Sequence, residues 1–193
     1  MCYSLSCFEK EIVAVLKKSN IFEGKKPKTS TLNNLIADVA RKNKLSVWAR
    51  GVQVGGDQNN SHLSGHEWLY DLICYSYDDE HYALCSTDLV MESEWKGRRY
   101  TANDDKDPYG EVKFDFQKLL VSNAKTKLLV FKQHGKSNDQ IELKNYFMRR
   151  IDKYCQCDGC SLYLFACFSS IRESNNLNLS VSAYRKGCEW ENL

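Results

Sequence analysis

Three carboxylate side chains lie in segments of the chain that are rich in apolar residues. Asp71 is part of WLYDLICY, and Glu92 and Glu94 lie near the end of LVMESEW. An isolated carboxylate is costly to bury, and two residues spaced by two in a strand point to the same face. If the two segments pair as strands, facing side chains lie about 5 Å apart, so the three carboxylates can meet.

Three carboxylates this close repel one another unless a positive charge lies among them. A divalent ion, Mg²⁺ or Mn²⁺, supplies that charge, because such ions take carboxylate oxygens together with water and phosphate oxygens. The alternative is a plain hairpin whose acids face solvent. Two features favour the metal site: Asp71 has apolar neighbours, and the later segment DFQKLL can deliver Lys118 or Gln117 from a helix.

The elements that position these residues follow from apolar periodicity. It predicts helices over residues 8–19, 30–43, 112–123 and 138–154, and Ser30 or Thr31 is the expected N-cap of the second. It predicts strands over residues 46–54, 67–77, 82–95, 126–132, 161–169 and 177–184, the second and third forming a hairpin. The order α-α-β-β-β-α-β-α-β-β, with no repeat or linker, predicts one α/β domain over residues 1–193 whose mixed sheet is flanked by helices.

The composition is that of an ordinary globular protein. The 193 residues are 42% hydrophobic and 27% charged, and no apolar run approaches the roughly 20 residues of a membrane span. The N-terminal segment lacks the pattern of a secretory signal. We therefore expect a cytoplasmic protein without a membrane partner.

The net charge of +2 does not by itself indicate a nucleic-acid partner. The basic residues are nevertheless grouped, and each group is either a solvated face or a phosphate-binding surface. The groups are Lys17, Lys18, Lys25, Lys26 and Lys28; Lys96, Arg98 and Arg99; and Lys144, Arg149, Arg150 and Lys153.

The arrangement of an Asp on one strand, an acid pair ending the next, a helix and a short apolar strand resembles the PD-(D/E)XK nuclease-like superfamily. The segments EWLYDL, ESEW, DFQKLL and KLLVFK look like an uncharacterised bacterial group within it, over about residues 46–132. The resemblance implies a restriction-endonuclease-like fold with a leading helix supplied by residues 8–19 or the helix after it.

The resemblance also assigns roles to individual residues. Asp71 matches the metal-binding Asp, and Glu92 matches the acid of the D/E-x-K pair. The lysine position of that pair falls on Glu94, which departs from the commonest pattern. Either Glu94 is a third acid, or the lysine is Lys118 on the helix, or Glu94 and Lys96 form the pair.

The implied activity is magnesium-dependent hydrolysis of phosphodiesters, with DNA as the expected substrate. The alternative is a catalytically silent member of the same fold that binds nucleic acid or protein, because fold does not guarantee function. The absence of an unambiguous ExK leaves both open. Glu67, four residues before Asp71, is a candidate further acid.

The nine cysteines offer a third hypothesis. Cys155, Cys157 and Cys160 in CQCDGC are either incidental thiols on a turn or part of a zinc site that stabilises an interaction protein. Cys74, Cys85 and Cys167 lie in predicted strands and are expected to be buried, reduced thiols. The four histidines, His62, His66, His81 and His134, have no metal-binding spacing and are expected to be ordinary.

Overall fold

The computed structural model describes residues 4–18, 28–49, 69–78, 80, 83–95, 107–133, 139–154, 159–170 and 177–193. Within these residues the chain forms four helices and seven strands, which confirms the predicted α/β class. In chain order they are α1 (Cys7–Lys17), α2 (Thr29–Lys42), β1 (Ser46–Ala49), β2 (Leu72–Asp78), β3 (Ala83–Glu94), α3 (Gly110–Val121), β4 (Thr126–Gln133), α4 (Asp139–Lys153), β5 (Leu162–Ser170), β6 (Leu177–Tyr184) and β7 (Glu191–Asn192). The two-residue strand β7 was not predicted from the sequence.

The described strands form one mixed sheet whose spatial order is the order along the chain, β1 to β7. β1, β2 and β3 are antiparallel neighbours, so the predicted hairpin is present. β3, β4 and β5 run parallel, with α3 and α4 in the two connections, and β6 and β7 return antiparallel. Parallel neighbours require such crossover connections, and a helix is their usual form.

The two faces of the sheet bury separate cores. Side chains in β3 alternate, so that Leu89 and Met91 pack with α1 and α2, whereas Val90 packs with α3 and α4. β4 is buried along almost its whole length, as expected for a parallel strand covered on both faces. The alternation places Glu92 and Glu94 on the α3 side of the sheet and Trp95 on the other side, where Trp95 contacts the α1–α2 core.

The helices begin in different ways. Ser6 and Glu9 form a capping box at the start of α1. The predicted N-cap of α2 at Ser30 or Thr31 is wrong, because α2 begins at Thr29 after Lys28, which makes no side-chain cap bond. The amides of Thr31 and Leu32 instead donate to the backbone oxygen of Lys28.

Two strand predictions differ from the structure. Asp71 was expected in the middle of a strand, but β2 begins one residue later, at Leu72. Cys85 was expected to be buried, as Cys74 and Cys167 are, but it is exposed. The reason is that β4 pairs with β3 only from Leu89 onward, so the first half of β3 extends past it. Predicted strand residues 50–54 and 67–68 lie outside the described part.

Among the helices that the structure describes, none combines the length and apolar character needed to cross a membrane.

Candidate functional site

The site is built around Glu92 near the end of β3. Its Cα partner on the neighbouring strand is Leu129, whose side chain belongs to the α3–α4 core. Only 2% of the Glu92 residue surface is exposed. A carboxylate so deep in the molecule requires a compensating partner.

That partner comes from α3. The Nζ atom of Lys118 lies 2.9 Å from Oε1 of Glu92 and 2.8 Å from Oδ1 of Asp115, one turn earlier on the same helix. Residues three apart on a helix share one side of it, so Asp115 and Lys118 approach β3 together. One ammonium group therefore bridges two carboxylates.

Three further contacts fix the position of α3 over the sheet. Phe116 and Leu119 are fully buried in the α3–α4 core. The buried Lys127 of β4 donates from Nζ to the Leu120 carbonyl oxygen at 3.4 Å, near the C-terminal end of the helix, where a cation is favourable. The Tyr70 hydroxyl donates to the Lys118 carbonyl oxygen at 3.4 Å.

Asp71 approaches the same region from the residue before β2. Its Oδ2 atom accepts hydrogen bonds of 2.8 Å from both the backbone N–H and the Oγ of Ser93. The Asp71 carboxylate thus accepts the Ser93 N–H in place of a backbone oxygen, and the β2–β3 pairing starts only at Leu72 and Met91. Its negative charge also acts on Glu92 and Asp115, since it helps to raise the pKa of both.

A polar chain connects Asp71 to the opposite layer. The Oγ of Ser93 lies 2.8 Å from Oγ1 of Thr29 at the start of α2, and Thr29 accepts from Trp95 Nε1 at 3.0 Å. Asn33 of α2 donates to the Asp71 backbone oxygen at 3.3 Å. Asp71 therefore lies near the acid–lysine site and also helps to hold α2 against the sheet.

Burial dominates the electrostatics of the site. It raises the pKa of Glu92 to about 8, while the contact with Lys118 opposes part of the rise and the charge of Asp115 adds to it. Burial likewise raises the pKa of Asp115. Burial acts to lower the pKa of Lys118, but the contacts with Asp115 and Glu92 outweigh it and raise that pKa above its usual value. Lys118 is consequently a permanent cation at neutral pH.

The residues present meet part of the requirement for a divalent ion. Within the described ranges, no three His, Cys, Asp or Glu side chains lie close enough to hold a metal as they stand. Oε1 of Glu92, however, is buried and accepts no hydrogen bond of regular geometry from the described residues, although Lys118 is near. Mg²⁺ commonly takes one or two carboxylates and completes its shell with water and phosphate, so Glu92 is one suitable donor, but the described residues do not supply a complete set.

The other predicted site residues differ in their position and exposure. Glu94 lies two residues beyond Glu92 on the same face, close enough for its charge to raise the pKa of Asp115. Gln117 is exposed. Lys96, Glu67, the four histidines, Cys155 and Cys157 lie outside the described residues, and Cys160 is exposed.

Sequence reasoning missed Asp115. The signal was present in DFQK, where an acid precedes Lys118 by three residues.

Comparison of the chain with protein-family models, with curated proteins and with solved structures finds no match in any of the three. The structure alone therefore describes the molecule: it is an α/β protein with an acid–lysine site where β2, β3 and α3 meet.

Proposed function

We propose that this chain is a divalent-metal-dependent nuclease of the restriction-endonuclease-like class, and that it hydrolyses phosphodiester bonds in DNA. The observation that carries the proposal is the buried Glu92 side chain, which lies 2.9 Å from Lys118 of the next helix, while Asp115 contacts the same ammonium and the charge of Asp71 is near enough to help raise the pKa of Glu92. Buried acids with strongly perturbed pKa values beside a fixed cation are typical of catalytic sites.

The order of the site elements supports the resemblance. An Asp directly precedes β2, two acids end β3, a helix follows, and β4 is short and apolar. The place of Lys118 beside Glu92 favours the helix lysine over Glu94 as the counterpart of the family lysine. Two helices precede β1, either of which can serve as the leading helix.

In this proposal Asp71 and Glu92 hold the metal, and Glu94 is available as a third acid. A bound Mg²⁺ or Mn²⁺ supplies a Lewis acid for a phosphate oxygen and a water of lowered pKa. Lys118 stabilises the negative charge that develops on the phosphate, because a preorganised cation in a buried site acts more strongly than one in water. Asp115 keeps Lys118 pointed at β3.

A second candidate function has its own observation. Lys118 already lies within 3 Å of both Glu92 and Asp115 without a metal, and the described residues contain no ready-made cluster of three acids. Such an arrangement suits a silent member of the class that binds nucleic acid or protein. The two candidates differ in whether the site turns over substrate.

The test is cleavage of plasmid DNA by the purified chain with Mg²⁺, with Mn²⁺ and with EDTA. We expect metal-dependent nicking that falls at least 100-fold in Glu92→Gln, which keeps the shape of the side chain but removes its charge. Glu142→Gln, at an exposed position on α4, is the matched control and should cleave like the wild type. Equal cleavage by wild type and Glu92→Gln excludes this site, and DNA binding without cleavage favours the silent alternative.

A further inference from the structure

A concave feature lies on the same face of the sheet as Glu94. It is a cavity of about 310 Å³ between α4 and strands β4 to β7. Its apolar lining includes Phe131, Phe147, Phe165 and Trp190. A volume of this order, with an apolar lining that includes aromatic rings and with several polar groups, is characteristic of a small-ligand pocket.

The register of the sheet places this pocket beside the acidic site. Glu94 on β3 pairs with Phe131 on β4, Phe131 with Cys167 on β5, and Cys167 with Ser180 on β6. Residues paired in this way point to the same face, and each strand adds about 4.8 Å. The buried Phe131 therefore lies one strand from Glu94, and Ser180 at the opening lies three strands away, about 14 Å, a distance that one polymer strand can span.

Three of these aromatic rings form a stack, whose inner members Phe147 and Phe165 are buried in the α3–α4 core and whose outer member Trp190 is only partly buried. Phe147 and Phe165 stack with centroids 4.9 Å apart and an interplanar angle of 15°, and Phe165 and Trp190 stack at 4.8 Å and 23°. The ammonium of Lys144 lies 5.5 Å from the centroid of the Trp190 ring. A flat ligand can extend this stack at Trp190, and Lys144 can then turn to an anionic group of that ligand.

The rim supplies hydrogen-bonding groups suited to the edge of a heterocycle. Gln140, Ser180 and Asn192 line the opening, and together their side chains offer both donors and acceptors. The Cys167 thiol in the lining accepts from Gln140 Nε2 at 3.4 Å. Asn192 Oδ1 accepts from Ser182 Oγ at 3.1 Å, so a ligand would use the remaining donors and acceptors of these side chains.

We propose that this pocket binds an unpaired nucleobase of the DNA strand whose backbone lies at Asp71 and Glu92, and that the enzyme therefore prefers single-stranded or unpaired substrate. The inference rests on the proposed function, since it deepens the nuclease site by naming its substrate class. An unpaired base stacks on an aromatic side chain without first being removed from a duplex, so a stacking pocket favours single strands.

The test measures binding separately from cleavage. Fluorescence anisotropy in EDTA compares a labelled single-stranded DNA with the same sequence as a blunt duplex. We expect the single strand to bind about tenfold more tightly. Trp190→Ala removes the stacking ring, and Ser180→Trp fills the opening from an exposed strand position with little risk to the fold. Both should remove the preference, and Asn34→Trp, exposed on α2 across the sheet, should retain it.

The outcomes separate this inference from the proposed function. Equal affinity for single strand and duplex, or full single-strand preference in Ser180→Trp, overturns the pocket assignment. Metal-dependent cleavage abolished by Glu92→Gln would still stand in that case. If the single-strand preference depends on Ser180 and Trp190 but no cleavage occurs, the pocket is supported and catalysis fails. If neither DNA binds, the pocket assignment falls too.

Discussion

The ammonium group of Lys118 lies 2.9 Å from the buried carboxyl group of Glu92, and this contact joins α3 to β3. The contact offsets only part of the effect of burial, which raises the pKa of Glu92 to about 8 and favours the protonated acid. It also holds a cation where a phosphate would lie in the proposed reaction. The same pair therefore matters for stability and for chemistry.

The free energy of unfolding should fall as pH rises from about 5 to about 8.5. The pKa of Glu92 is about 8 in the folded chain and near 4.5 when unfolded, so the folded state binds more protons in this window and loses that advantage above it. At about 1.4 kcal/mol per pH unit, the loss between pH 5 and 8.5 is on the order of 4 kcal/mol. Glu92→Gln cannot titrate and should lack this component. Urea unfolding of the wild type and Glu92→Gln at pH 5 and 8.5 measures the change in the free energy of unfolding. An equal change in the two proteins would contradict the prediction.

Lys118→Met should destabilise the protein by about 3 kcal/mol at pH 9, where Glu92 is ionised and Lys118 is still charged. The cost is large because the substitution leaves a buried carboxylate without its cation. The double variant Lys118→Met/Glu92→Gln should recover part of the loss. Chemical unfolding of the four proteins gives the coupling energy.

An exposed ion pair provides the control for this cycle. Lys125 and Asp88 lie 2.7 Å apart, but 67% of the lysine side chain is exposed. Lys125→Met should therefore cost under about 1 kcal/mol. If both lysine substitutions cost the same, the buried pair has no special role.

Asp71→Ala should destabilise the protein by about 1–3 kcal/mol, because the backbone N–H and Oγ of Ser93 lose their shared acceptor. Asp71→Asn keeps a side-chain oxygen and should cost less. Hydrogen exchange at the Ser93 amide should be faster in Asp71→Ala than in Asp71→Asn. Unchanged exchange in Asp71→Ala would show that the bond does not protect the amide. Asp71→Asn is consequently the better variant for cleavage assays, because it removes the charge with less loss of stability.

Mg²⁺ should raise the melting temperature of the wild type. An ion that binds only the folded state at about 100 times its dissociation constant stabilises that state by about 2.7 kcal/mol. Glu92→Gln should show a much smaller rise, whereas Glu142→Gln should behave as the wild type does. Differential scanning calorimetry with and without Mg²⁺ makes the measurement, and an equal rise in Glu92→Gln would place the ion elsewhere.

The sequence predicted the parts of the site that depend on short-range periodicity. Two-residue alternation placed Glu92 and Glu94 on one face of β3, and the structure agrees. The position of Lys118 on a helix that could reach the acids also followed from local pattern. These features succeed because side-chain direction in a strand or helix is fixed by the backbone repeat.

Asp71 shows where local pattern fails. Its neighbours are typical of a strand, yet the strand begins after it, because the Asp71 carboxylate bonds to Ser93 instead of continuing the ladder. Asp115 was missed for a related reason. In the sequence it is an acid on a helix like many others, and only the packing of α3 against the sheet buries it beside Lys118. In both cases the partner is distant in sequence.

Repeats of two or 3.6 residues along the chain were enough to predict the α/β class, the hairpin and the face on which the β3 acids lie. Long-range packing was needed to show that Lys118 contacts Glu92, that Asp115 contacts the same lysine and that β2 begins after Asp71. The two lysine contacts depend on the packing of Phe116 and Leu119, which holds α3 against the sheet. This packing between distant segments brings the Lys118 ammonium within 3 Å of both acidic side chains.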